Sequence, residues 1–224
     1  MRTVAVIPAR GGSKGIKKKN LREIGKHSLV EIKVLQALNS KISEVYVSTD
    51  DEEIAKVASR AGANVLHRSV DLASDTASTD AVLLDVTNQL SLSGSDVIVL
   101  LQATSPLMKA CRINQCLTQL LDNLELNSVI TIKNGHPFMW KKSKIGFEPD
   151  GHSRDYRPRR QELIEAGWET GACYAIRADA LLEQKVRYPF PTGVVETQFY
   201  ESLDIDNMDD LNVARALASL IDLG

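Results

Sequence analysis

Two stretches near opposite ends of the chain carry residues whose types and spacing suit work on phosphate. The first is "ARGGSKGIKKKN", Ala9 to Asn20. Between Arg10 and Lys26 there are seven basic residues and one acidic one, in a chain whose formal net charge is −2. Gly11, Gly12 and Gly15 let backbone approach a ligand and aim N–H groups at it. Arg10 and Lys14 add fixed positive charge, and a polyphosphate is the partner that such a loop fits. No Gly-Lys-Ser/Thr closes the loop, and it does not read Gly-x-Gly-x-x-Gly, so neither common nucleotide fingerprint applies. A solvated basic turn is the plainer account, and it suits Lys17 and Lys18.

The second stretch is "ESLDIDNMDDL", Glu201 to Leu211. In extended backbone Asp204 and Asp206 point the same way. Such a pair can hold a hard cation such as Mg²⁺, which keeps several waters and bridges to substrate phosphates. The alternative is capping and first-turn charge for a following helix, which fits Asp209 and Asp210. A third stretch, "RDYRPRRQE", has four arginines from Arg154 to Arg160. These suit either a forked clamp on a carboxylate or phosphate, or a solvated loop. His27, His67, His136 and His152 have no metal spacing. Cys111, Cys116 and Cys173 are too few for a disulfide framework, which points to a reducing, cytoplasmic setting.

The elements that must position these residues alternate. "TVAVIPA" reads as a buried strand, "LVEIKVLQAL" as a helix and "EVYVSTD" as a strand. Thr49 and Glu52 fit a capping box for "EEIAKVASRAG", with Gly62 at its stop. "ANVLH" is a short strand, "AVLLDVTNQL" a helix, "DVIVLLQA" a central strand, "RINQCLTQLLDNL" a helix and "SVITI" a strand. This order implies an α/β fold, a mainly parallel sheet with helices on both faces. Ligands of such sheets sit at the carboxyl ends of the strands, where "RGGSKG", "STDD" and "QATSP" converge. From Lys133 to Val195 the alternation fails. We read one domain over residues 1–224, with residues 133–195 an inserted arm used for dimerisation. "GACYAI" is a strand returning to the sheet, and "NMDDLNVARALASLI" is a closing helix. No apolar run reaches the ~20 residues of a membrane span, and the near-neutral charge argues against a nucleic-acid binder.

"IPARGGSKGI…KN", "LASDTAS", "LLQATSPL", "RRQE…GACY" and "DIDNMDDL", in this order, resemble the acylneuraminate cytidylyltransferases, the CMP-sialic acid synthetases. The resemblance implies a nucleotide-diphospho-sugar transferase fold and a homodimer. It also implies Mg²⁺-dependent (or Mn²⁺-dependent) reaction of CTP with a 2-keto-3-deoxy acid sugar, giving a CMP-sugar and pyrophosphate. Arg10 and Lys14 would then grip the triphosphate, with Gly11, Gly12, Ser13, Lys19 and Asn20 completing the loop. Arg68, Ala77 and Thr79 would bound the cytidine. Gln102 and Arg160 would face the sugar acid, and Asp204 and Asp206 would hold the metal. Trp168 and Thr170 stand where the sialic acid enzymes often carry Arg and Asn, which marks both as residues that set the sugar. Legionaminate or an octulosonate is an alternative sugar. A metal-dependent glycosyltransferase is an alternative activity, because Asp-x-Asp serves there too.

Overall fold

The protein is described here by a computed structural model covering residues 1–135, 138–153, 155–156, 158–159 and 166–218. The first half runs β1 (Thr3–Pro8), β2 (Glu23–Ile24), β3 (His27–Ser28), α1 (Leu29–Leu38), β4 (Glu44–Thr49), α2 (Glu52–Arg60), β5 (Asn64–His67), α3 (Val70–Ala73) and α4 (Thr79–Gln89). The second half runs β6 (Val97–Leu101), α5 (Ala110–Asp122), β7 (Ser128–Asn134), β8 (Met139–Ser143), β9 (Gly146–Asp150), β10 (Gly167–Arg177), α6 (Ala178–Gln184), β11 (Thr192–Glu196) and α7 (Met208–Ala218).

Seven strands form one sheet in the order β11-β7-β10-β6-β1-β4-β5. β6, β1, β4 and β5 are parallel, as are β11 and β7, whereas β10 runs antiparallel to both of its neighbours. The central strands are apolar on both faces, so the sheet must be covered twice. Val4, Val6, Ile98 and Leu100 pack on one side with Leu83 and Val86 of α4 and Leu181 of α6. Ala5, Ile7, Val47, Val99 and Leu101 pack on the other with residues of α1, α2, α5 and α7. The α/β expectation therefore holds, and β10 accounts for "mainly" rather than wholly parallel.

Local signals explain most boundaries. Ser28 and Glu31 form a capping box at the start of α1, and Gly62 (φ 101°) follows the end of α2 in the left-handed region. The expected Thr49–Glu52 box is not the cap of α2. The helix starts at Glu52, so Asp51 is its N-cap and accepts from the amides of Glu53 and Ile54 at 2.8 and 3.0 Å. Thr49 is still in β4, and its hydroxyl oxygen accepts from the Asp51 amide.

The stretch 133–195 divides. Its residues 133–134, 167–177 and 192–195 belong to the central sheet. What leaves the sheet lies between Asn134 and Gly167 and includes the antiparallel hairpin β8–β9. Among the described residues no helix is long and apolar enough to cross a membrane.

Candidate active site

β1 and β6 end side by side, and the segments after β1, β5 and β6 surround a cleft of about 390 Å³, which the expected "STDD" turn after β4 does not line. The opening basic loop supplies one wall: Arg10, Ser13, Lys14, Lys19 and Asn20. Two bonds fix its path. The buried Asn20 amide donates to the Arg10 carbonyl at 3.0 Å. Lys19 Nζ donates to the Ile205 carbonyl at 2.7 Å and meets Asp206 Oδ1 at 3.2 Å. A Cβ on Gly15 would collide with the Asp206 carbonyl, so glycine here permits the basic loop to lie against the Asp-Ile-Asp segment.

Gly11 and Gly12 do not line the cleft. The Gly11 amide is taken by Asp50 Oδ1 at 3.0 Å, and a Cβ there would come within 2.7 Å of Asp51 Oδ2. Gly11 therefore makes room for the cap of α2, outside the residues that line the cleft. Gly12 has open space around its Cα. Lys18, read as a solvated charge, pairs with Glu53.

The opposite wall comes from the 68–79 segment. Arg68 follows β5 and is buried; its guanidinium donates to the Ser48 carbonyl at 2.7 Å and to the Ser48 hydroxyl at 3.2 Å. Desolvation lowers its pKa, with Asp50 opposing. Ala77 and Thr79 border the cleft, as do Ser74 and Ser78, the N-cap of α4. Asp75 is the feature that sequence reasoning missed. Its carboxylate meets Arg10 Nη1 at 2.8 Å and Lys14 Nζ at 3.1 Å. Lys14 first, and Arg10 with it, hold that carboxyl below the usual range. The one signal for it was an acid within "LASDTAS".

The floor is the turn after β6. Gln102 and Thr104 line the cleft, and the Gln102 amide donates to the Ala172 carbonyl of β10. Asp206 reaches the same space. Asp204 sits behind it, where the Ser105 hydroxyl donates to its Oδ1 at 3.4 Å. Crowding by the surrounding protein and the nearby Asp206 raise the Asp204 pKa, while Thr104, Lys19 and Ser105 lower it. Two carboxylates in mutual repulsion are a donor set that a divalent cation would relieve. Among the described residues no cluster of three or more His, Cys, Asp or Glu exists. Asp209 and Asp210 stand in the first turn of α7, and Asp210 Oδ2 accepts from the amides of Asp206 and Asn207.

The expected sugar residues are dispersed. Trp168 is partly exposed at the start of β10, with Lys133 Nζ 4.7 Å from its ring centroid. Thr170 is buried and does not line the cleft. It is 2.7 Å from the Thr131 hydroxyl and donates to the Thr131 carbonyl at 3.1 Å. The register of β10 shifts between Glu169 and Tyr174, and Gly171 (φ 75°) lies inside that irregularity. Thr170 thereby faces Thr131 of β7, away from the residues that line the cleft. Arg160, with Arg154 and Arg157, lies outside the described residues. Cys116 and Cys173 are buried, and Cys111 is exposed.

Comparison with known proteins gives the chain's family and its fold relatives. The chain is 34% identical over 217 residues to the N-acylneuraminate cytidylyltransferase A of Danio rerio, covering 94% of this chain and 49% of that protein. It thus spans about half the length of that relative. It is 30% identical over 226 residues to the pseudaminic acid cytidylyltransferase of Campylobacter jejuni, covering 97% of this chain and 96% of that one. Among solved structures it resembles a CMP:2-keto-3-deoxy-manno-octonic acid synthetase complexed with CTP. There the TM-score is 0.74 at 19% identity, covering 98% of this chain and 99% of that one. A 4-diphosphocytidyl-2C-methyl-D-erythritol synthase from Anaerococcus prevotii shares the fold with TM-score 0.66 at 14% identity, covering 97% and 96% of the two chains. The cytidylyltransferase family model matches residues 4–141, from β1 through the central strands and the whole basic loop, and the chain belongs to that family.

Proposed function

We propose that the protein activates a nonulosonate, a 2-keto-3-deoxy acid sugar, with CTP to give the CMP-sugar and pyrophosphate. The observation that carries this reading is the convergence of Arg10, Lys14, Lys19, Arg68 and Asp206 on one cleft. The names of the relatives, an N-acylneuraminate and a pseudaminic acid cytidylyltransferase, favour a nine-carbon acid sugar over other acceptors.

In this reading the anomeric hydroxyl attacks the α-phosphorus of CTP and the bond to the bridging oxygen breaks. Phosphoryl-type transfer asks the protein for alignment and charge neutralisation more than covalent help. Arg10 and Lys14 leave Asp75 and take the triphosphate oxygens, where their charge counts most as the pyrophosphate leaves. The 68–79 wall bounds the cytidine, with Ala77 and Thr79 at its edge. Gln102 presents an amide to the sugar acid at the floor. Asp204 and Asp206 would hold Mg²⁺ or Mn²⁺, which when bound supplies positive charge to the phosphate oxygens. Lys19 keeps Asp206 at the wall meanwhile.

Trp168 is proposed to meet the sugar and Arg160 to approach its carboxylate, the latter from a second subunit. We also propose a homodimer through the arm. Met139, Trp140, Ile145 and Phe147 of the β8–β9 hairpin are exposed, large apolar side chains of the kind that interfaces cover. The competing arrangement, in which the cluster folds onto its own chain, has one contact in its favour. Phe138 and Trp140 both lie edge-on to His152, at 5.2 and 5.9 Å between ring centroids.

One assay tests the whole reading. The protein is incubated with CTP, Mg²⁺ and a panel of N-acetylneuraminate, pseudaminate, legionaminate and a 3-deoxy-octulosonate, and pyrophosphate is measured. Release with a nine-carbon sugar supports it. No release with any, or sugar transfer from a preformed CMP-sugar instead, overturns it in favour of another activity.

A further inference from the structure

Lys33 lies within α1 and is fully buried. Its partner is a backbone carbonyl rather than a carboxylate: Nζ donates to Ser105 O at 2.8 Å. Burial pushes its ammonium down to about 7, with Cys173 and Asp204 opposing. A lysine placed this way is disfavoured relative to an apolar side chain of similar length. What the amine adds, in either protonation state, is an N–H directed at Ser105. Gln36, one turn further along α1, donates its Nε2 to the next carbonyl, Pro106 O, at 2.7 Å. α1 thus grips two consecutive carbonyls of the 102–106 turn.

The other side of that turn serves the cleft. Gln102 and Thr104 line it. Thr104 O accepts from the Ile205 amide at 2.8 Å, and the Ser105 hydroxyl donates to Asp204. A continuous run of direct bonds therefore joins the α1 interior to the Asp204 carboxylate and to the amide of Ile205, the residue between the two aspartates. The geometry points to Lys33 as a positioning residue for nucleotidyl transfer: through the Ser105 carbonyl it fixes the 102–106 turn, and through that turn it fixes the Asp204–Asp206 segment at the cleft. The catalytic consequence rests on the cytidylyltransferase reading above; the mechanical link does not.

The test is Lys33→Met, compared with wild type by thermal unfolding, by amide hydrogen exchange and by turnover. The variant should melt at the wild-type temperature or above it, because the buried amine is gone. The Ile205 amide should exchange faster, while amides in β1 and β6 keep their protection. Turnover should fall, or the Mg²⁺ needed for half-maximal rate should rise, by about 10- to 100-fold, as outer-shell changes do. The KM for CTP should move little. A stable Lys33→Met protein with wild-type exchange at Ile205 overturns the inference, and so does faster exchange with wild-type turnover and metal requirement. Gln36→Leu removes the neighbouring grip and decides the matter if Lys33→Met does not fold: unchanged exchange at Ile205 there also overturns it. If wild type releases no pyrophosphate with any sugar, the cytidylyltransferase reading fails, and the exchange comparison still decides whether Lys33 holds the segment.

Discussion

Asp75 Oδ1 lies 2.8 Å from Arg10 Nη1, and its second oxygen lies 3.1 Å from Lys14 Nζ, so one carboxylate bridges the two cations assigned to the triphosphate. On the proposed reading, Asp75 holds the place that phosphate charge would take. Arg10→Ala and Lys14→Ala should each lower kcat by about 10²- to 10³-fold with the fold intact. Near-normal kcat in a folded Lys14→Ala protein would remove the assignment. Asp75→Asn should act in the opposite direction and tighten CTP binding severalfold, because nothing then competes for the cations. Isothermal titration with CTP checks this, and weaker binding would mean that Asp75 helps to hold the nucleotide.

The aspartates separate by position. A chelator should abolish activity and Mg²⁺ or Mn²⁺ should restore it. Asp206→Asn should raise the metal requirement strongly. Asp210→Asn should stay close to wild type, since its amide oxygen can still accept from the Asp206 and Asn207 amides. Metal titrations of the two variants settle the matter: if they behave alike, Asp206 is only a helix-end charge.

Lys33 should also write itself into the pH dependence of stability. Its folded pKa is about 7 against an ordinary value of 10.5. Between those values the unfolded chain binds more protons than the folded one, so stability rises with pH across that window. Below pH 7 the full penalty of the buried amine is present. The stability advantage of Lys33→Met over wild type should therefore be largest below pH 7 and shrink toward pH 10. Urea unfolding at a series of pH values measures it, and a constant difference would show that Lys33 does not titrate in this way.

Trp168 gives a specificity prediction. Its ring offers an apolar face and one donor, where Arg would offer several. A pocket walled by it should favour a deoxy or acylated nonulosonate over one with a fully hydroxylated tail, by ~1–3 kcal/mol per added carbon at most. The kcat/KM ratio between legionaminate or pseudaminate and N-acetylneuraminate should drop in Trp168→Arg. A ratio that does not move makes Trp168 structural.

The hairpin should hold two copies together. Light scattering at micromolar concentration should give a dimer for wild type and a monomer for a variant with Met139 and Trp140 changed to Ser. A fully active monomeric wild type would overturn the arm's role.

Much of the fold was legible because its signals are local. Apolar periodicity placed β1, α1, β4, α2, β5, α4, β6, α5 and β7 but not the short β2, β3 and α3, and Ser28, Ser78 and Gly62 mark helix boundaries. What was not legible depends on distant partners. The weight of Asp75 comes from Arg10 and Lys14, some 60 residues earlier. Thr170 was placed at the sugar by resemblance alone, and the bulge around Gly171 decides its face. The cap of α2 went to Asp51 because β4 continues to Thr49. Lys33 had a readable signal, a lysine among the core-facing positions Leu29, Val30, Ile32 and Val34, but the carbonyl it meets is 72 residues away.

The antiparallel course of β10 has an architectural consequence. Gly167 pairs with Asn134, so the excursion departs from the sheet and rejoins it at a single rung. That rung lies at the edge where β7 ends, on the same side of the sheet as the cleft. A change of length between Asn134 and Gly167 would therefore leave the register of the central strands as it is. On the proposed reading, sugar preference and subunit contacts would share this one insertion point, apart from the frame that carries the basic loop.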